Sequence, residues 1–527
     1  MKPESNFVVS ADPASYAAGL ERRLDAQCHL PADKPPERDN FERYSIVLLA
    51  GITLAGAWLR FHLLTSKSFW FDEGFSVGVA RLGWADFLQL LWHREANMAV
   101  YYLLLRLWTK FGISEVFVRS LSVVFALATI PIIYMLGARL FRPRAGLIAA
   151  VLLAVNAFSV RYSQEARGYT LLVLLVTLSS WFFVRGIEER TSRDWWLYTL
   201  CAVLMVYTHF YGILIVAAQG LSLIFLPRAQ LDRARFLRSL RFFGYALLPL
   251  ALFLWRTGSQ PLNWIPPLNV HILAHFFRSL AGNGGNLLLA ACIVAWLAAA
   301  LSGFGLLLRR QRSVAGWRYA FLLASFAFPI LAVAAVCPFT SAFLARYLII
   351  CLPASVLLAA AGISGCRPAW LRTAFLAVVV ALSVGGVFSY YRADFDIARD
   401  DWRSASRYLL ANASPGDGIF FYTSPGRFSF EYYRLLAGRP ANDPLVIYPA
   451  SDGRVTYRDF LVSPLGEVLQ NPLPVPKRVW LFLNTHRAGG RMDMGSEVMC
   501  AYYARRYRLL SKHTVDGLDL MLYEREP

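Results

Sequence analysis

The chain has 527 residues, 57% of them hydrophobic and 15% aromatic, and a mean hydropathy of +0.44. A water-soluble domain has too little interior for so much apolar surface, which excludes an ordinary soluble protein and requires lipid as solvent. The formal charge of +19 would suggest nucleic acid in a soluble chain, but much of the basic excess lies in short loops between apolar runs, where it reports orientation in a membrane.

Residues 1–43 are polar and contain prolines, and the apolar run behind them is a full-length span with no small-residue cleavage site; this predicts a cytoplasmic tail and an uncleaved anchor. Runs long enough to cross a bilayer cover about 44–64, 115–138, 145–161, 169–186, 196–210, 211–227, 242–257, 286–308, 319–337, 346–364 and 372–390. The expected fold is therefore a polytopic α-helical membrane protein of about eleven transmembrane helices. The run from Met98 to Phe111 is too short and carries Arg106 and Lys110, so it is predicted to lie in the interface. With that run excluded, seventeen arginines fall at one set of loops, among them Arg139, Arg142, Arg144 and Arg228 to Arg241, against five at the opposite loops after the first: Arg161, Arg167, Arg256, Arg278 and Arg346. The positive-inside rule then places the N-terminus in the cytoplasm of a cell inner (plasma) membrane.

Two parts are left outside: a first loop over 65–114, within a membrane domain of 44–390, and a region over 391–527. The latter alternates helix-like patterns (Trp402 to Leu410, Phe428 to Leu436) with strand-like ones (Gly418 to Tyr422, Leu445 to Tyr448, Val479 to Leu483, Leu518 to Tyr523), which predicts an extracytoplasmic α/β domain. The seven cysteines have no metal-ligand spacing and suggest no disulfide framework.

Carboxylates are scarce near membranes unless they have work to do. Asp72 and Glu73 follow the first span, flanked by Trp70, Phe71 and Phe75, and Glu165 returns to the same face between Arg161 and Arg167. Asp72, Glu73 and Glu165 are the candidate catalytic residues. A DE pair in a loop is ordinarily solvated, and Arg161 and Arg167 also suffice to neutralise Glu165. Arg119 and Arg346 lie at the ends of two spans, where they either snorkel or hold the phosphate of an anionic lipid. His209 falls at a tight outside turn, suited to aromatic-belt packing or to substrate binding. His93 and Glu95 are two candidate ligands without a third, so no metal site is assigned. Asp394-Phe395-Asp396 has the form of a DxD motif but follows the last span on the side without nucleotides, and is read as a chance match.

Taken in order, several segments resemble the polytopic lipid-linked-sugar glycosyltransferases of the GT-C class, specifically the family 39-like proteins related to protein O-mannosyltransferases and to the lipid A aminoarabinose transferase. The carriers are Ser68 to Glu73, Tyr101-Tyr102-Leu103 with Phe111-Gly112 and Arg119, Tyr162 to Tyr169, Tyr207 to Gly212, Arg346-Tyr347 with Pro353, and Asp401-Trp402-Arg403. The chain departs from the family's His-Pro-Pro before the Tyr-Tyr pair, having Asn97 to Val100 there. The resemblance implies a polyprenyl-phosphate-linked sugar donor, an active site facing the periplasm or exterior, and Asp72 as the catalytic carboxylate. The expected substrate-binding set is Arg119, Arg167, Tyr169, Arg346, Tyr102 and His209. The acceptor is a lipid, glycan or protein hydroxyl, with no cofactor required and a divalent metal compatible. The rival reading is a polytopic lipid or glycan transporter or flippase, against which no span carries a mid-membrane carboxylate and no halves repeat.

Overall fold

The computed structural model describes residues 38–257, 265–308, 312–392, 400–422, 426–438, 443–448, 475–484 and 494–526. Residues 51–527 form one compact unit; in residues 1–50 the described part is helical from Arg38. The Asp394-Phe395-Asp396 tripeptide lies outside the described residues.

Among the described residues, eight helices are long and apolar enough to cross a membrane: Tyr44–Phe61, Glu115–Leu140, Tyr169–Glu189, Arg233–Thr257, Gly285–Leu307, Val314–Val336, Tyr347–Gly365 and Ala369–Arg392. Helix Gly285–Leu307 shows what solvates them. It buries Leu288, Ala295 and Ala299 while exposing Leu287, Val294, Leu297 and Leu301, so apolar side chains face both the bundle and the outside.

A ninth candidate is the bent pair Pro143–Ala154 and Ala157–Ser163, which are long and apolar enough together and meet at 58°. Asn156 makes the break by accepting from the Ser159 N–H at 3.0 Å while its amide donates to the Leu280 carbonyl at 3.0 Å. Buried Arg60 then donates to the carbonyls of Leu153 and Ala154 that the break leaves over. Of the eleven predicted spans, the other two are shorter: Ser192–Thr208 has 17 residues, at the lower limit for crossing a bilayer, and Gly212–Phe225 is a shorter apolar helix. They form a hairpin whose turn holds His209.

The segment from Met98 to Phe111 contains only the ten-residue helix Ala99–Trp108. Arg106 does not reach for solvent. It stacks over Trp84 at 4.1 Å and donates to the Ala80 carbonyl, closing the C-terminal end of helix Phe71–Arg81.

The C-terminal region is built on a five-stranded sheet: β1 (Gly418–Phe421), β2 (Leu445–Tyr448), β3 (Arg478–Asn484), β4 (Tyr507–Val515) and β5 (Leu518–Arg525), in the order β2-β1-β3-β5-β4. β1 pairs parallel with β2 and β3, and β5 pairs antiparallel with β3 and β4. Helices Trp402–Asn412, Gly426–Leu436 and Met494–Ala504 accompany it.

This region braces the first loop. The Ser68 hydroxyl donates to the Asp400 carbonyl at 2.9 Å, and the Phe69 N–H donates to the Tyr433 hydroxyl at 2.7 Å. That hydroxyl donates in turn to Glu115 at 2.6 Å, which Arg403 also binds. At Gly74 the backbone of Ser429 comes so near that an added Cβ would lie 2.6 Å from its nitrogen, so helix Phe71–Arg81 can dock on helix Gly426–Leu436 only through a glycine.

Candidate active site

Trp70 is extended and precedes helix Phe71–Arg81, whose first turn carries Asp72 and Glu73. Carboxylates suit that position because they face the unpaired N–H groups of a helix start. Being adjacent, the two point differently, and the structure gives them different surroundings.

Glu73 is fully buried and chelated by Arg119: Nε donates to Oε1 at 2.8 Å and Nη2 to Oε2 at 2.7 Å. Arg119 also donates to the carbonyls of Leu64, Lys67 and Ser68. Those five bonds use all five N–H donors of a guanidinium. Arg119, expected among the substrate-binding residues, ties the first loop to helix Glu115–Leu140. Glu73, expected among the catalytic residues, also accepts the Ala166 N–H on its Oε1 at 2.9 Å and joins the two acidic motifs. Glu165, 1% exposed, lies 3.5 Å from Arg161, which corresponds to the neutralised reading of that residue. Gln164 fastens the same segment to the first span by donating to the carbonyls of Arg60 and His62 at 3.0 and 2.8 Å.

Asp72 stands apart from this clamp. Its Oδ2 is 3.7 Å from Arg167 Nη2, and Arg167 Nη1 donates to the Ser76 hydroxyl at 3.3 Å and the Tyr102 hydroxyl at 3.4 Å. Burial opposes the charge on Arg167, but the Asp72 carboxylate together with Tyr102, Tyr169 and Glu95 outweighs it and raises the guanidinium well above its ordinary value. Tyr169 lies under Arg167, with the guanidinium 6.0 Å from the ring centroid, and packs against Tyr162 and His209. Half-buried Arg346 lies over the Trp70 and Tyr347 rings at 5.7 and 5.8 Å, and Tyr347 packs on His209 at 4.7 Å. Asp72, Tyr102, Arg167, Tyr169, His209 and Arg346 are thus gathered in one place, while Glu73, Glu165 and Arg119 form the frame beside it.

Three buried donors in this place have no hydrogen-bond partner among the described residues: Trp70 Nε1, the Tyr169 hydroxyl and His209 Nε2. The Tyr211 N–H donates to His209 Nδ1 at 3.2 Å, so the neutral ring carries its proton on Nε2. Asn97, in the segment that departs from the family pattern, accepts the Phe210 N–H at 3.2 Å and holds this turn. Buried donors left without acceptors are costly, and here they accompany two arginines and one carboxylate. The arrangement suits an anionic, hydroxyl-rich ligand.

One residue left out of the expected set belongs beside it. Glu95 is half-buried near Arg167, Tyr102 and Asp72; burial pushes its carboxyl up to about 7 from 4.5, against the lowering by Arg167 and Arg94. The sequence signal was a carboxylate just before the interfacial helix, read only as half of a metal pair with His93. The His93 ring is instead bonded to the Gln89 carbonyl of its own helix, and among the described residues no three His, Cys, Asp or Glu side chains gather to hold a metal. A carboxyl raised in the folded state adds stability that is complete below its unfolded value and is lost as pH rises through about 7. Glu95→Gln is therefore expected to flatten the fall in Tm of the detergent-solubilised protein between pH 5 and 8. Equal slopes in the two proteins would refute this.

Residues 98–255 match the family described as dolichyl-phosphate-mannose-protein mannosyltransferase. No curated protein matches the chain. Among solved structures, apo ArnT from Cupriavidus metallidurans is similar with a TM-score of 0.59 at 11% identity, over 91% of this chain and 97% of that one. ArnT from the same organism bound to undecaprenyl phosphate gives 0.55 at 10%, over 90% and 97%. The Archaeoglobus fulgidus oligosaccharyltransferase tethered to an acceptor peptide gives 0.50 at 12%, over 92% of this chain and 74% of that one. At such identities the likeness is one of fold, and the fold is the one anticipated from the motifs.

Proposed function

We propose that this chain, a multi-pass membrane protein of the GT-C fold, is a glycosyltransferase that moves a sugar from a polyprenyl-phosphate donor to an acceptor hydroxyl at the extracytoplasmic face. The observation that carries the reading is the convergence of Asp72, a carboxylate outside the clamp, with Arg167 and Arg346 and three unpartnered neutral donors.

The chemistry follows from those groups. Asp72 accepts the acceptor's hydroxyl proton as the oxygen bonds to the anomeric carbon. The bond from that carbon to the lipid phosphate breaks on the opposite face, inverting the configuration, and its electron pair stays on the phosphate oxygen. Arg346, with Arg167 beside it, compensates the charge that develops there. The neutral donors of Trp70, Tyr169 and His209 meet sugar hydroxyls or phosphate oxygens, and the aromatic faces pack on the ring's C–H surface. The polyprenyl tail lies along the apolar helices in the bilayer.

The test is to offer the purified protein a panel of labelled polyprenyl-phosphate sugars and follow release of free polyprenyl phosphate. Release from one donor is expected, and Arg346→Gln should slow it by about 10²- to 10³-fold, as removal of one charge-stabilising donor does elsewhere. Tight lipid binding with no release from any donor would refute the transferase reading in favour of transport.

A further inference from the structure

Helix Ser192–Thr208 ends at His209, beside Tyr169 and Tyr347. Its other end is about 25 Å away, from a rise of 1.5 Å per residue. There a shallow, open cleft lies between it and helix Arg233–Thr257, lined by Ser192, Trp195, Trp196, Arg235, Arg238 and Phe242.

The polar half of the cleft is built and incompletely satisfied. Arg235 is fixed, donating to the Ser192 hydroxyl at 3.1 Å and the Arg190 carbonyl at 2.7 Å and pairing with Asp232. Arg238, one turn along, is exposed and makes no ion pair among the described residues. Trp195 is 2% exposed, and its indole N–H finds no acceptor among the described residues. The apolar half opens outward: the rings of Trp196 and Phe242 pack at 4.5 Å, and both are exposed.

We propose that this cleft is a binding site for the phosphate head of an anionic phospholipid, far from the reaction centre. A guanidinium and an indole N–H are donors suited to a phosphate oxygen. The Trp196–Phe242 pair supplies the surface along which an acyl chain lies, as aromatic residues do at membrane interfaces. A soluble anion would use the first half and leave the second unexplained. Basic pockets between membrane helices bind acidic headgroups for these reasons.

The test uses the full-length protein in neutral detergent, with phosphatidylglycerol, phosphatidylcholine and inorganic phosphate as probes, read by native mass spectrometry and by thermal shift. Phosphatidylglycerol is expected to bind at least fivefold more tightly than phosphatidylcholine. Arg238→Gln and Trp195→Phe should each weaken it at least threefold, while Arg81→Gln, an exposed arginine elsewhere, should not. Trp195 is a core side chain, so Arg238→Gln decides if Trp195→Phe lowers the yield. Equal phosphatidylglycerol affinity in wild type and Arg238→Gln, or no preference over phosphatidylcholine, would overturn the site. Equal stabilisation by millimolar phosphate alone would overturn its assignment to lipid.

Discussion

Asp72→Asn is expected to slow release of polyprenyl phosphate by about 10²- to 10⁴-fold, the usual contribution of a positioned general base. Asparagine fills the same space but cannot take the acceptor's proton. The fold should survive, because Asp72 lies 3.7 Å from Arg167 rather than in the Glu73–Arg119 clamp, and Arg167 keeps its bonds to the Ser76 and Tyr102 hydroxyls. The comparison is between initial rates of the two proteins with the donor identified from the panel, alongside their melting temperatures. Equal rates would remove Asp72 as the base and make Glu95 the next carboxylate to test. A rate lost together with the melting transition would instead make Asp72 a folding residue.

Arg119→Met is expected to destabilise the protein by about 3 to 5 kcal/mol, the cost of stranding one partner of a buried ion pair. Glu73 would remain fully buried with only the Ala166 N–H as partner, the carbonyls of Leu64 and Ser68 would lose their donor, and that of Lys67 would keep only Arg403. The measurements are yield of monodisperse protein and melting temperature. Adding Glu73→Gln to Arg119→Met should recover part of the loss, because the amide oxygen still accepts from Ala166 while the unpaired charge is gone. A variant with wild-type melting temperature but a raised KM for the donor would restore Arg119 as a phosphate ligand.

These two variants separate residues that the sequence places side by side. Asp72 and Glu73 are adjacent carboxylates, and no linear pattern tells which one Arg119 clamps. Their difference arises because consecutive helical positions lie about 100° apart, so Glu73 turns to Arg119 while Asp72 turns to Arg167. Arg119 and Arg346 looked equivalent too, each an arginine at the end of a span. What parts them is the supply of backbone acceptors: the first loop brings three carbonyls to Arg119, whereas Arg346 lies over the Trp70 and Tyr347 rings.

The C-terminal sheet shows the same division. β1, β2, β3 and β5 were legible as apolar runs or alternation because they are largely buried. β4 was not, since it is an edge strand whose burial falls mostly on Tyr507, with Arg508, Leu509 and Leu510 exposed. An edge strand of this kind owes its conformation to hydrogen bonds from β5 more than to its own pattern. Helix Ser192–Thr208 and its partner behave likewise: their apolar content was plain, but where each ends was decided by the turn that Asn97 and His209 hold.

By itself the sequence determined that this protein lives in a bilayer, where its long apolar helices run, and that two acidic motifs return to one membrane face. Those properties follow from hydropathy and charge, which act locally and add along the chain. Tertiary structure alone decided which charged groups neutralise one another and which are left to meet a ligand. That depends on a few ångströms between residues about 50 to 280 positions apart in sequence, such as Glu73, Arg119, Arg167 and Arg346. No periodicity encodes such distances, because they are set by how the helices pack.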